Sequence, residues 1–311
     1  MNLSQNHFKS ALIAVLLFSL FVPASLCANN KYQYPSQEKI DKQVDSVFRK
    51  LSTREKIAQI MVINFTSADS KEKQAIQNRL VKKEKVGGVI PLGEKSFVSA
   101  MKRLNQLNKM AKIPMLVTID GEWGVSMRYM EVPAFPRFLQ MGALSNDSLI
   151  YEVGRLIGKE CRSLKMQVNY SPVLDINNNP ERHIVNTRCF AEEKEVVAKY
   201  SIPMMRGLRD AGVAGSAKHF PGHGDTDVDS HLALPLLPYT KERLDSLELY
   251  PYKHLIADGV DMVMVGHLSI PSLDPTGTPS SISKPIVTGL LREELGFDGI
   301  ICTDALDMFG V

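Results

Sequence analysis

Seven short, nearly continuous apolar runs recur along this chain: Ile57 to Phe65, Val86 to Ile90, Met115 to Ile119, Val168 to Ile176, Val213 to His219, Val260 to His267 and Gly299 to Thr303. A strand with one wet face alternates apolar and polar residues. A run that does not alternate is covered on both faces, as in a parallel sheet. Helix-like segments fill the gaps. Asn146-Asp147 opens a stretch to about Leu164, with Leu149, Ile150, Val153, Leu156 and Ile157 at helical spacing. Glu192 to Asp210 behaves likewise and is ended by Ala211-Gly212. Thr240-Lys241-Glu242-Arg243 has the shape of a capping box, with Arg where Glu would serve best. Ser283-Lys284-Pro285 opens a helix from Ile286 to Leu295, with Pro at its start and Gly296 just past its end. Strand–helix alternation on this scale leaves a doubly wound sheet or a (β/α)8 barrel.

The placement of polar residues favours the barrel. Asp120, Asp175, Lys218-His219, His267 and Asp304 each stand at the C-terminal end of an apolar run. A barrel gathers all its strand ends around one mouth, where the βα loops build a site. A doubly wound sheet offers only its switch-point crevice, and no Gly-rich dinucleotide fingerprint or P-loop opens any helix. The expected fold is therefore α/β, of the (β/α)8 TIM-barrel type.

Composition narrows the function. Hydrophobic residues make up 44% of the 311, ample for a core, so the chain is not disordered. A net charge of +3 gives no field for nucleic acid. Lys9 precedes the apolar run Ala11 to Val22, and small residues follow in Pro23-Ala24-Ser25-Leu26-Cys27-Ala28. That layout is a secretory signal peptide over residues 1–27, because a bilayer span needs about 20 apolar residues. The mature chain, 28–311, is expected to be exported, periplasmic or extracellular, without an integral span. A lipid anchor at Cys27 is disfavoured by Leu26, where a small residue normally stands. Cys161, Cys189 and Cys302 remain, an odd number that suggests buried thiols rather than bridges.

Lys218 to His231 is the densest polar stretch. Asp225-x-Asp227-x-Asp229 starts like a calcium loop, but Ser230 stands where Gly is needed and Leu236 where Glu is needed. His219, His223 and His231 match no tight zinc spacing, and Pro221 with two glycines prevents a helix from presenting the first two on one face. Neither a metal nor a cofactor is expected. In an extended segment Asp229 and His231 point to the same side. A carboxylate so placed orients the imidazole and raises its basicity, making a general acid/base near neutral pH.

Lys218-His219-Phe220-Pro221-Gly222-His223-Gly224-Asp225-Thr226 through Asp229-Ser230-His231 resembles the signature of family 3 glycoside hydrolases, in their β-N-acetylglucosaminidase (β-hexosaminidase) branch. Other segments agree in order. Thr118 to Gly124 resembles the family's Asp-(Gln/Gly)-Glu-Gly-Gly segment, with Trp123 in place of a glycine. Asn169 to Asn177 resembles its fourth-strand motif, and Asn186 to Phe190 its Arg-Ser-Phe loop, with Cys189 for serine. Leu290 to Gly299 leads into Thr303-Asp304-Ala305-Leu306-Asp307-Met308, where the family keeps its nucleophile. The resemblance covers roughly residues 40–311.

It implies a retaining hydrolysis of terminal β-linked N-acetylglucosamine, on peptidoglycan fragments or related glycans. Asp304 is then the nucleophile, and the Asp229–His231 dyad replaces the usual second carboxylate. Asp120, Arg128, Arg188, Lys218 and His219 are the implied sugar-binding residues, with Asp175 supporting them. Standing alone, Asp304 reads as a helix cap; the matching segments around it make the catalytic reading the stronger. His267 is a candidate for substrate contact, Glu122 a candidate partner of Arg128, and Asp307 a local hydrogen-bonding residue. His183 and His254 read as surface, and Met262-Val263-Met264 as core. A histidine acid/base also admits phosphorolysis, because a neutral imidazole does not repel phosphate as a carboxylate would. A non-catalytic sugar-binding module is the rival from another class.

That rival follows from the strand count. A (β/α)8 barrel needs an eighth strand and two more helices after the run that ends at Asp304, so the barrel reads as truncated after its seventh strand, with a further C-terminal domain in a longer product. Residues 28–311 alone are expected to be poorly soluble or inactive. Expression of that segment as a monomeric, cooperatively folded, active enzyme would refute this.

Overall fold

The structure, a computed structural model, describes residues 36–66, 68–92, 96–178, 185–226 and 232–311. The segment proposed as a signal peptide, Cys27, His183 and the Asp229–His231 dyad lie outside these residues. Strands β1 (Val62–Phe65), β2 (Gly88–Pro91), β3 (Leu116–Ile119), β4 (Val168–Asn169), β5 (Ala214–Phe220), β6 (Met262–Val265) and β7 (Ile300–Thr303) follow one another in the sheet in chain order. The registered pairs β1–β2, β2–β3, β5–β6 and β6–β7 are parallel. Strand followed by helix, with consecutive strands adjacent, is the expected barrel-type α/β arrangement.

Contacts divide the chain into two compact units. The first holds the described residues through Ile119, with Val125–Pro133 and Glu160–Val168. Its helices start where serines cap them: Ser36, Ser52, Ser70 and Ser96 each accept a backbone N–H of the first turn. Ser52 and Glu55 form a reciprocal capping box, with Ser52 N donating to Glu55 Oε2 at 2.9 Å. That box corrects the first apolar run. Thr53–Ala58 is helix, and only Val62–Phe65 is strand. Phe65, Val89, Leu107 and Ile119 are fully buried in this unit.

The second unit holds Asp120–Gly124, Ala134–Lys159 and Asn169–Val311. Every residue of β5 and β6 is buried, including the polar Ser216, Lys218 and His219 of β5, and Met262 to Met264 lie in the core. Phe220 packs edge-on to Tyr252 at 5.1 Å, and Phe138 stacks on Phe190 at 4.5 Å. The run Val168 to Ile176 is strand only at Val168–Asn169, because Pro172 has no N–H to donate. Val173 makes an isolated parallel bridge to Lys218 instead. Thr240 caps Lys241–Ser246 as expected. Pro285–Glu294 follows Pro at its first turn, winds with the wider i→i+5 turn, and is followed by Gly296 at φ +67°. Cys161, Cys189 and Cys302 are free thiols.

Helices Asp147–Ser163 and Lys194–Asp210 meet through glycines. A Cβ on Gly154 would lie 2.3 Å from Met204 O, and one on Gly207 would lie 2.2 Å from Tyr151 O. Alanine is the better helix former by roughly 1 kcal/mol, but the clash is with backbone and cannot be relieved by a rotamer. Gly207→Ala is therefore expected to destabilise by about 1–3 kcal/mol, a fall of about 2–4 °C in Tm for each kcal/mol. Thermal unfolding checks the sign; an unchanged or higher Tm would contradict the packing.

Candidate active site

The C-terminal end of β5 supplies Lys218 and His219, and the backbone continues through His223 to Thr226. The Lys218–His219 and Phe220–Pro221 peptides are cis. Lys218 is only 2% exposed. Its Nζ lies 3.0 Å from Asp120 Oδ1 and 2.9 Å from Glu122 Oε1. Glu122 also receives the Arg188 guanidinium, with Nη2 at 2.7 Å and Nε at 3.0 Å. Two cations and two carboxylates thus neutralise one another, with Lys218 and Glu122 buried and Arg188 and Asp120 partly exposed, and pairing is the condition for keeping the inner two charged. Burial opposes the Glu122 charge most strongly, but Lys218 and Arg188 hold that carboxyl down at about 2. Burial likewise opposes the charges of Lys218 and Arg188, and their carboxylate partners raise both above their ordinary values.

Glu122 is 1% exposed and joins Arg188 to Lys218, two partners that its sequence position did not reveal. Its position two residues after Asp120 signalled only that it stands near the site. Arg128 itself follows the short turn Val125–Met127 in the first unit and is half-buried. Gly121 holds the Asp120 loop against β4. Its N–H donates to Asn169 Oδ1 at 2.9 Å and its carbonyl accepts from Asn169 Nδ2 at 3.0 Å. Trp123 lies under the Arg137 guanidinium, 3.9 Å from the ring centroid.

Asp175 is buried at the end of the fourth-strand segment and organises the β5 loop. Oδ1 accepts the backbone N–H of His223 at 2.7 Å and of His219 at 3.3 Å, while Oδ2 lies 2.7 Å from His219 Nδ1. Burial works against its charge, yet His219 and then His223 hold the carboxyl down at about 2. The His223 tautomer also follows from geometry. The Thr226 hydroxyl donates to His223 O at 3.0 Å, so it accepts from Nδ1 at 2.6 Å, and the Nδ1 proton is fixed. Burial first, and then the neighbouring His219, push the His223 value down, against the pull of Asp175 and Asp304.

Asp304 stands just past β7, where its N–H donates to Val265 O at 2.9 Å. It is half-buried, and its Oδ1 accepts the Ala305 N–H at 2.8 Å. Burial pushes the Cys302 thiol up to about 12, Ser216 opposes this, and the charges of Asp304, Lys218 and Asp120 all act on it. β5 pairs with β6 and β6 with β7, so Lys218 near the end of β5, with its partner Asp120, and Asp304 just past β7 come from the C-terminal ends of adjoining strands. His267, a candidate for substrate contact, is fully buried with both ring nitrogens engaged. Asp307 and His254 are exposed. Among the described residues no group of three or more His, Cys, Asp or Glu side chains is placed to hold a metal ion, and no helix is long and apolar enough to cross a membrane.

Residues 52–311 match the glycosyl hydrolase family 3 N terminal domain. Beta-hexosaminidase A of Pseudoalteromonas piscicida is 33% identical over 258 residues, covering 75% of this chain and 43% of that protein. The solved family 3 β-N-acetylglucosaminidase from Paenibacillus sp. str. FPU-7 superposes with a TM-score of 0.78 at 38% identity, covering 84% of this chain and 50% of that one. Beta-glucoside phosphorylase BglX superposes with a TM-score of 0.79 at 27% identity, covering 89% and 50%. The chain thus spans half or less of the length of these relatives.

Asp175 and Glu122 are both depressed in the folded state. The stability they contribute is present above about pH 4, the range of an unfolded carboxylate, and is lost as pH falls towards their folded values near 2. Asp175→Asn is expected to cost about 3–5 kcal/mol near neutral pH, since it leaves a buried partner unpaired, and to flatten the acid limb. Urea unfolding across the acid range tests this. A variant that keeps the original acid slope would contradict the assignment.

Proposed function

This chain belongs to glycosyl hydrolase family 3, and from that premise we propose that it hydrolyses terminal, non-reducing β-linked N-acetylglucosamine by a retaining mechanism. The observation that carries the reading is that Asp304 and Lys218 come from the C-terminal ends of strands joined through β6, with Asp120 and the Arg188–Glu122 pair gathered on Lys218. The names of the relatives support the sugar: a beta-hexosaminidase in Pseudoalteromonas piscicida and a β-N-acetylglucosaminidase in Paenibacillus.

In the first step an Asp304 carboxylate oxygen attacks the anomeric carbon. The bond to the leaving oxygen breaks as His231 gives that oxygen its proton, and a glycosyl ester forms. In the second step His231 takes a proton from water, the water oxygen attacks the anomeric carbon, and the ester opens to release Asp304. Asp229 orients the imidazole and stabilises its charged form. Both dyad residues come from the sequence motif and lie outside the described residues. Asp120, Arg128, Arg188, Lys218 and His219 bind the sugar hydroxyls and acetamido group. Because Lys218 and Arg188 are already fixed by buried carboxylates, little reorganisation accompanies charge development on the sugar.

Peptidoglycan fragments or related glycans are the proposed substrates. Export to the periplasm or beyond rests on residues 1–27 alone. Phosphorolysis is a second reading, favoured by the likeness to beta-glucoside phosphorylase BglX and by a histidine in place of a carboxylate acid/base.

Asp304→Asn in the natural gene product is expected to lower release of a chromogenic leaving group from β-N-acetylglucosamine by roughly 10³-fold or more; retained activity would sink the assignment. Product analysis in phosphate buffer separates free sugar from sugar 1-phosphate. Saccharide binding without any turnover would point to the non-catalytic module.

A further inference from the structure

We propose that His267 is a positioning residue that sets the orientation of the Asp304 carboxylate; this deepens the glycosidase reading and rests on Asp304 as its nucleophile. Two strand ends meet here. Val265 ends β6 and accepts the Asp304 N–H at 2.9 Å, and Gly266-His267 leads the chain out beside it. His267 has no exposed surface, so it acts through what it holds.

Its Nε2 lies 3.0 Å from Ala305 O. A carbonyl only accepts, so Nε2 carries a proton. Nδ1 lies 2.6 Å from Ser281 Oγ, so the ring is fixed at both nitrogens. Ser281 belongs to the turn Ser280–Ile282, and Ser280 ties that turn to the end of β6. Ser280 Oγ donates to Gly266 O at 2.7 Å and accepts the Leu268 N–H at 3.0 Å. The imidazole is thus braced against its own strand.

What it braces is otherwise lightly held. Ala305, Leu306, Asp307 and Phe309 are exposed, and Met308 is the buried residue among them. Ala305 O also accepts the Met308 N–H at 3.2 Å, within the same turn. Ala305 N–H donates to Asp304 Oδ1 at 2.8 Å. His267 therefore fixes the carbonyl of the residue whose amide holds one carboxylate oxygen. Among the described residues no hydrogen bond reaches Oδ2, which leaves that oxygen for attack on the sugar. Displacing a reacting group by about 1 Å can cost roughly 100-fold in rate, so a rigid anchor one residue beyond the nucleophile has a direct kinetic meaning.

The test compares His267→Leu, which keeps bulk and removes the donor, with His267→Gln, whose amide reaches nearly as far as Nε2. His267→Leu is expected to lower kcat about 100-fold with KM changed by no more than about twofold. His267→Gln should recover at least about tenfold of that loss. Exchange of the Ala305 amide proton, followed by NMR without any turnover, should be about five- to tenfold faster in His267→Leu and return towards the wild-type rate in His267→Gln. The inference is overturned by an unchanged kcat in His267→Leu, by a loss that falls equally on KM, by His267→Gln as slow as His267→Leu, or by unaltered Ala305 exchange. Should His267→Leu fail to fold, His267→Asn replaces it, since its amide stops short of Ala305 O. An active Asp304→Asn would remove the nucleophile assignment instead, and the Ala305 exchange would still decide whether His267 holds this turn.

Discussion

One buried carboxylate governs the geometry of the second unit's site. Asp175 accepts two backbone N–H groups and faces one imidazole nitrogen, all from the β5 loop. A buried carboxylate left with empty acceptor positions is expensive, and so are buried amides without acceptors. Each side therefore fixes the other. Because the His219 and His223 amides converge on the same oxygen, the path of the loop is set before any side chain meets a ligand. The Lys218 ammonium, one residue earlier, is then delivered between Asp120 and Glu122.

The two charged clusters solve different problems. Around Glu122 two cations meet two carboxylates, which holds the long Lys218 and Arg188 side chains in place around a buried carboxylate. Around Asp175 the partners are mostly backbone amides, which carry no side-chain entropy and tolerate little movement. The first cluster presents charge; the second fixes a loop.

Much of this was legible in the sequence. Unbroken apolar runs marked the strands, of which β3, β5 and β6 are buried throughout whereas β1 and β7, the first and last of the sheet, are only partly covered, and polar residues at the strand ends marked the site. Other features were not legible, for physical reasons. Ile57 to Phe65 reads as one run, yet the Ser52–Glu55 capping box assigns its start to a helix. Val168 to Ile176 also reads as one strand. Pro172 cannot donate to a ladder, and the Asn169 side chain clamps the Gly121 peptide there instead. The Glu122 hub exists only once residues distant in sequence are brought together. His267 carried the right signal, a polar residue at a strand end, but whether a ring faces the mouth or braces a neighbouring turn depends on Ser281 and Ala305.

The three thiols have a chemical consequence for durability. Burial is the largest cause of pushing Cys161, Cys189 and Cys302 up to about 12. At neutral pH only about one thiol in 10⁵ is then ionised, and thiolate is the form that peroxides and disulfides attack. Cys302 feels the charges of Asp304, Lys218 and Asp120, so a sulfinate there would add a permanent negative charge beside the proposed nucleophile. Suppressing ionisation makes that lesion slow, which suits a chain proposed to work where oxidants are not scavenged by a reducing cytosol.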